Sequence, residues 1–307
     1  MKSCSPMLVK LFLSVIALTL IAAPCAATVD EYTPIPWDSH PVWSPDGGRI
    51  AFVSTRNGPE GSPHGPDNIW VVNADGTNLL QLTTDGGNTN PTWSPDGTKI
   101  AFTAGAQIRY VTVATGSITE LTKGERGCFD PDWCPVDATK VLAWFKTGTA
   151  DNDIFIIDTT TSLTHVSGRK PLKIREGTDK RPRWSRDGSR IAFVGEVKDP
   201  DAEESAYYLM TMTAQGTDLQ THCQTQYRWI SSLSWYPSGG KVVMSDGKVC
   251  DLATGQTSQL FSEFGLQYPD ISPDGQRVAY VEYVSDSGRF LFIRNIDGTN
   301  KQQITFP

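Results

Sequence analysis

With 307 residues, of which 38% are hydrophobic, 10% aromatic and 20% charged, the chain has the balance of a globular protein and not of a disordered or collagen-like one. Its formal charge of −7 argues against nucleic acid or an anionic membrane surface as the main partner, because both are bound chiefly through clustered Lys and Arg. Length alone suggests two domains of roughly 150 residues, a rule that repeat architectures escape, so internal self-similarity decides.

At the N-terminus, Lys2 and Lys10 precede an apolar run from Leu11 to Ala23, and the small residues Ala22-Ala-Pro-Cys-Ala-Ala27 follow. That layout predicts a secretory signal peptide over residues 1–27. The run is shorter than the roughly 20 residues of a spanning helix, so no transmembrane span is expected after cleavage. Cleavage removes two lysines and no acid, which moves the formal charge from −7 to −9. A lipid-modified Cys25 is disfavoured by Pro24, where such a signal wants a small residue. Four cysteines remain, Cys128, Cys134, Cys223 and Cys250. An even number in an oxidising compartment predicts disulfides, with the pairs nearest in sequence, Cys128 with Cys134 and Cys223 with Cys250, preferred among three connectivities.

From residue 41 the chain repeats itself. Pro41-Val-Trp-Ser-Pro-Asp-Gly-Gly-Arg-Ile-Ala-Phe52 returns as Pro91-Thr-Trp-Ser-Pro-Asp-Gly-Thr-Lys-Ile-Ala-Phe102. Looser copies begin at Pro131, Pro182 and Leu233, and a sixth at Pro269. The third residue of each copy is Trp43, Trp93, Trp133, Trp184, Trp235 or Ile271, in steps of 50, 40, 51, 51 and 36 residues. Periods of this size mark propeller blades of four strands. Within a copy, Pro-Asp-Gly supplies the fixed φ, the capping carboxylate and the positive φ of a tight turn, so the strand reverses there. A short strand such as Ile50-Ala-Phe-Val-Ser54 follows, apolar almost throughout, as expected of a sheet covered on both faces. Asn68-Ile-Trp-Val-Val72 and Leu79-Leu-Gln-Leu-Thr83 complete the first blade, and Ile154-Phe-Ile-Ile157, Tyr208-Leu-Met210 and Leu291-Phe-Ile293 fill the third-strand slot later. The expected fold is all-β: a six-bladed β-propeller of four-stranded antiparallel blades over residues 28–307, with blades starting near 38, 88, 128, 179, 230 and 266. An alternative has Thr33-Pro-Ile-Pro-Trp37 joining the last blade as a closing strand.

The Trp-Ser-Pro-Asp-Gly phrase with Ile-Ala-Phe after it resembles the WD40-like repeat of the TolB family, over nearly all of the chain beyond residue 27. The resemblance implies an exported propeller that binds a protein partner in the cell envelope or extracellular space. Repeats of this type also occur in gating domains of prolyl oligopeptidase-like enzymes and in some pectin-fragment lyases, so fold does not fix function. The family's Tol-Pal member carries an α/β domain ahead of its propeller. No such segment is expected between Ala27 and the first repeat, and a full Tol-Pal role is therefore not expected.

If the first strand of each blade runs beside the central channel, the longer loops share the upper face with the blade-to-blade connections, where binding residues concentrate. Residues shortly before each repeat Trp then ring the channel mouth: Asp38, His40, Asn90, Asp130, Asp179 and Arg181, with Tyr268 in the last blade. Phe129, Arg228 and Trp229 add the residue types that anchor interfaces and stack on sugars. These ten are the candidate binding residues. No G-x-S-x-G elbow, H-E-x-x-H, P-loop or dinucleotide fingerprint occurs, so no catalytic residue and no resident cofactor is assigned. A rival expectation is a carbohydrate-active or lectin-like propeller with calcium or another divalent ion at the mouth, near Asp38, His40, Asp130 and Asp179.

Overall fold

The computed structural model describes residues 35–57, 65–124, 127–146, 152–160, 164–165, 172, 177–197, 205–225, 230–262, 266–284 and 288–307. The leader, and with it Cys4 and Cys25, lies outside these residues. So do His64, Arg228 and Trp229. No helix among the described residues is long and apolar enough to cross a membrane.

The described chain folds as a six-bladed β-propeller. Blade 1 is Asp38–Trp43, Arg49–Ser54, Asn68–Asn73 and Leu80–Gln81, hydrogen-bonded side by side in sequence order. Blades 2, 4, 5 and 6 repeat that order, with first strands at Asn88–Trp93, Asp179–Trp184, Leu233–Trp235 and Gln267–Ile271. Blade 3 shows three strands, Cys128–Trp133, Lys140–Lys146 and Asn152–Asp158. The amide of Leu172 donates to the Ile154 carbonyl as those of Leu82 and Ile304 donate to Ile69 and Leu291, so Leu172 marks the fourth-strand position.

The hydrophobic core is six clusters, and each fills one seam between neighbouring sheets. Trp43, Phe52 and Trp70 of blade 1 pack with Leu291 and Ile293 of blade 6. Val53 and Ile69 pack with Trp93 and Phe102 of blade 2, and the same alternation continues around the ring. A blade therefore buries both faces, which is why its second strand reads as an unbroken apolar run.

Among the described residues every blade consists of consecutive strands, and none of them is exchanged to close the ring. The segment ahead of blade 1 forms an isolated parallel bridge, Trp37 with Arg289, in which the Arg289 amide donates to the Pro36 carbonyl at 3.2 Å. That contact falls at the start of the third strand of blade 6, not along its outer edge. Closure rests on side chains. The Thr305 hydroxyl donates to the Asp38 carboxylate, which also receives Nη2 of Arg56 on both oxygens at 2.8 and 2.9 Å.

Cys223 and Cys250 form a disulfide that staples the outer strand of blade 4, Gln220–Gln224, to the third strand of blade 5, Lys248–Asp251. The other expected pair is not formed: Cys128 and Cys134 are free and buried. Cys128 begins the first strand of blade 3 and Cys134 follows its end. At about 3.3 Å per residue, six extended residues hold them about 20 Å apart, far beyond the reach of one bridge.

Candidate functional site

Three of the turns that follow a repeat Trp are built alike. The Ser44 hydroxyl donates to the Asp46 carboxylate at 2.6 Å and accepts the Arg49 amide at 2.9 Å, and Ser94 and Ser185 do the same for their turns. These hydroxyls hold Asp46, Asp96 and Asp187 below the usual carboxylate range. The turns fix the far end of each first strand.

Toward the other end, five first strands carry the same distortion. The register against the second strand slips by one residue between Ser39 and Val42, Thr89 and Thr92, Phe129 and Asp132, Lys180 and Arg183, and Gln267 and Asp270. Inside each slip is a residue followed by proline: His40, Asn90, Asp130, Arg181 and Tyr268, with φ between +49° and +58°. Proline has no amide to give the ladder, so an extra residue bulges out. The left-handed conformation costs a non-glycine residue about 1–2 kcal/mol, least for Asn and Asp. His, Arg and Tyr hold it here without that exemption.

The six first strands enclose an axial cavity of about 130 Å3, similar to an engineered cavity of about 150 Å3 that admits benzene. Its wall combines the rim residues His40, Asn90, Ser232 and Tyr268 with Asp132, Arg183, Ser234 and Asp270, the residues just before the repeat Trp or Ile. Those preceding residues form two hydrogen-bonded arcs. In one, Ser234 donates to Oδ1 of Asp270 at 2.6 Å and accepts the Ile271 amide at 3.0 Å, while Oδ2 of Asp270 accepts the Trp43 amide at 2.8 Å. In the other, Thr92 contacts Oδ1 of Asp132 at 3.3 Å and accepts the Trp133 amide at 3.1 Å, while Oδ2 accepts the Trp184 amide at 2.6 Å. Val42 and Arg183 interrupt the arcs in blades 1 and 4, which lie opposite each other in a six-membered ring.

Burial pushes the Asp132 carboxyl up to about 6, against the pull of Arg183, and raises Asp270 as well. His40 stacks on Tyr268 with ring centroids 4.2 Å apart. Burial and then the Arg181 charge bring its imidazole down to about 3, so it is neutral at pH 7. Arg186, which replaces proline in the blade 4 turn, donates Nη2 to the Ile271 carbonyl of blade 6 at 2.7 Å. Arg183 donates to the Pro182 carbonyl at 2.8 Å.

Of the ten sequence candidates, His40, Asn90 and Tyr268 come together on the cavity wall. Asp130 and Arg181 form an ion pair with each other, and Asp130 also accepts the Trp144 indole N–H. Asp38 and Asp179 are fully buried, and Asp38 serves the closing seam. Phe129 stacks on Trp144 at 4.6 Å and packs into the seam between blades 3 and 4. Arg228 and Trp229 lie outside the described residues. Sequence reasoning missed Asp132, Arg183, Arg186 and Asp270. A signal for three of them was present, since alternation sends the residue before a seam-filling Trp to the opposite face, and that face is the channel. Among the described residues no group of three His, Cys, Asp or Glu side chains is placed to hold a metal ion.

Fold and repeat together define a six-bladed β-propeller. No protein-family model matches the chain, and no curated protein sequence matches it. Among solved structures it is similar to a puromycin-hydrolysing peptidase of Mycobacterium tuberculosis, at 12% identity and a TM-score of 0.63 over 90% of this chain and 54% of that one. It is similar to an oligogalacturonate lyase in complex with manganese, at 15% identity and a TM-score of 0.55 over 89% and 79%. It also aligns with TolB from Acinetobacter baumannii, at 19% identity and a TM-score of 0.44 over 87% and 53%. The chain thus spans about half the length of that TolB and of the peptidase.

Proposed function

We propose that this chain is an exported binding propeller, residues 28–307 forming one domain after loss of residues 1–27, and that it receives a segment of a protein partner at the channel mouth. The observation that carries this reading is the rim itself: His40, Asn90 and Tyr268 stand in a strained backbone conformation around a cavity. Strain of this kind persists where the surrounding structure over-determines it and clusters at functional sites. The cavity suits the end of a segment, with the upper-face loops left to hold the rest.

A divalent ion at the mouth, a reading prompted by the similarity to an oligogalacturonate lyase in complex with manganese, has less support. The neutral imidazole of His40 has the Arg181 and Arg183 charges beside it, and Asp38 and Asp130 already hold arginines of their own. The test is affinity capture from envelope and secreted extracts with the wild type, His40→Asn and Tyr268→Asn, since asparagine tolerates the left-handed conformation. Loss of a captured protein in both variants, with unchanged melting, is the expected result. Capture that survives both changes removes the mouth as the binding site.

A further inference from the structure

What the cavity offers a ligand is uneven. Its carboxylates are each engaged: every oxygen of Asp132 and of Asp270 takes one hydrogen bond from a neighbouring blade. Its donors are not. The Asn90 Nδ2 group and the Ser232 hydroxyl, on side chains of residues 7% and 8% exposed, make no hydrogen bond, and a buried donor left unpaired costs about 1–3 kcal/mol. They belong to blades 2 and 5, which face each other across the channel. Beside them Arg183 sends one N–H to the carbonyl of its own neighbour, and no carboxylate ion pair engages it or Arg186 among the described residues. Ammonium groups and metal ions bring no acceptor, so they leave the Asn90 Nδ2 and Arg183 donors unanswered. A neutral hydroxyl brings two lone pairs on one oxygen and no charge to set against Arg183. A carboxylate is acceptor-only, with about four lone-pair sites on two oxygens, and satisfies donors converging from two sides.

We infer that the axial cavity is a carboxylate receptor, with Asn90, Ser232 and Arg183 as its donors. Arg186 stands at the turn end of the channel, where it leans on the Ile271 carbonyl, so the bound group enters from the opposite mouth and comes to rest as an end group. This deepens the preceding proposal, on which it rests for the source of the carboxylate: the C-terminus of an inserted peptide. The same chemistry is carried by sugar acids, and the experiment separates the two.

Isothermal titration of the purified chain uses three probes: the tripeptide Ala-Ala-Phe with a free C-terminus, the same tripeptide as its C-terminal amide, and galacturonate. The free acid is expected to bind at least tenfold more tightly than the amide. Asn90→Asp keeps the shape and the left-handed tolerance of the side chain and exchanges a donor for an acceptor, so it should lower affinity at least tenfold with the melting temperature held. Ser232→Ala is the second variant, expected to weaken binding several-fold should the first not fold. Equal binding of acid and amide, full affinity in a folded Asn90→Asp protein, or no binding by any probe overturns the carboxylate receptor. Binding of galacturonate with neither peptide bound upholds it and overturns the peptide reading instead.

Discussion

The seam between blades 6 and 1 and the seam between blades 3 and 4 join the same kinds of sheet by different means. At the first, the Trp43 indole donates to the Asp270 carbonyl at 3.0 Å, and Arg277 lies over the Trp43 ring at 4.6 Å and reaches the Gly47 carbonyl at 3.2 Å. Asp38 receives Thr305 across the same junction. At the second, the Trp184 amide reaches Asp132, but the Trp184 indole N–H has no hydrogen-bond partner. Blades 1 and 2 repeat the stronger pattern, with the Trp93 indole on the Val42 carbonyl and Arg49 over the Trp93 ring at 4.7 Å. Asp38 and Thr305 meet at the seam between blades 6 and 1, and no disulfide crosses it among the described residues. The comparison teaches that the indole clamp belongs to particular seams, present between blades 6 and 1 and between 1 and 2 and missing between 3 and 4, and does not follow from how the chain connects them.

The largest effect that can break this comparison is at the tryptophans. Trp43→Ala should destabilise by about 5 kcal/mol and Trp184→Ala by about 3 kcal/mol, the ends of the range for a buried aromatic, because Trp43 also loses an indole hydrogen bond worth about 1 kcal/mol and the Arg277 cation–π contact worth about 0.5–1 kcal/mol. Chemical denaturation of both variants measures this, and equal costs would show that the clamps add nothing. Next is Asp38→Ala, which strands a buried Arg56 and should cost about 4 kcal/mol. If that variant melts like the wild type, closure does not pass through Asp38. The one covalent seam comes third. Reducing or replacing Cys223 and Cys250, which lie 27 residues apart, should cost about 3.5 kcal/mol on a loop-entropy estimate, read as a lower denaturation midpoint in reductant.

The smallest effect sharpens the weaker seam through pH. The folded pKa of Asp132, about 6, lies above its free value of 3.8. The native state therefore takes up its proton first, and the Asp132 contribution to stability rises as pH falls from about 6 to 3.8. Asp132→Asn lacks that gain. The stability of the wild type relative to this variant should therefore increase on acidification from pH 7 to 5, and a difference that stays constant would place the Asp132 titration elsewhere.

Blade number and strand order were legible because one phrase carries its own turn, with Pro, Asp and Gly in the places a reversal demands, and because Trp43, Trp93 and their counterparts are large enough to need a seam. The rim was legible in part: the dipeptides His40-Pro41, Asn90-Pro91 and Tyr268-Pro269 sit where a ring mouth was expected. What they do there was not, since the bulge that turns them inward is a property of the paired strands. Asp132 and Asp270 escaped because a carboxylate inside a strand reads as a solvated edge. Here it is covered on every side by other blades, which no single segment announces. The pairing of Cys128 with Cys134 failed for a similar reason, because nearness in sequence becomes distance once the residues between them extend.

The proline-linked bulge has one more consequence. It lifts a single side chain out of the ladder on each of five first strands, so what that side chain is matters little to the sheet beneath it. The six copies of the repeat keep a large apolar residue at their seams and vary at this site, with His, Asn, Asp, Arg, Ser and Tyr in turn. The proposed selectivity is thereby uncoupled from folding: exchanging residues 40, 90 or 268 is expected to change the chemistry of the mouth and to leave the blades behind them unchanged.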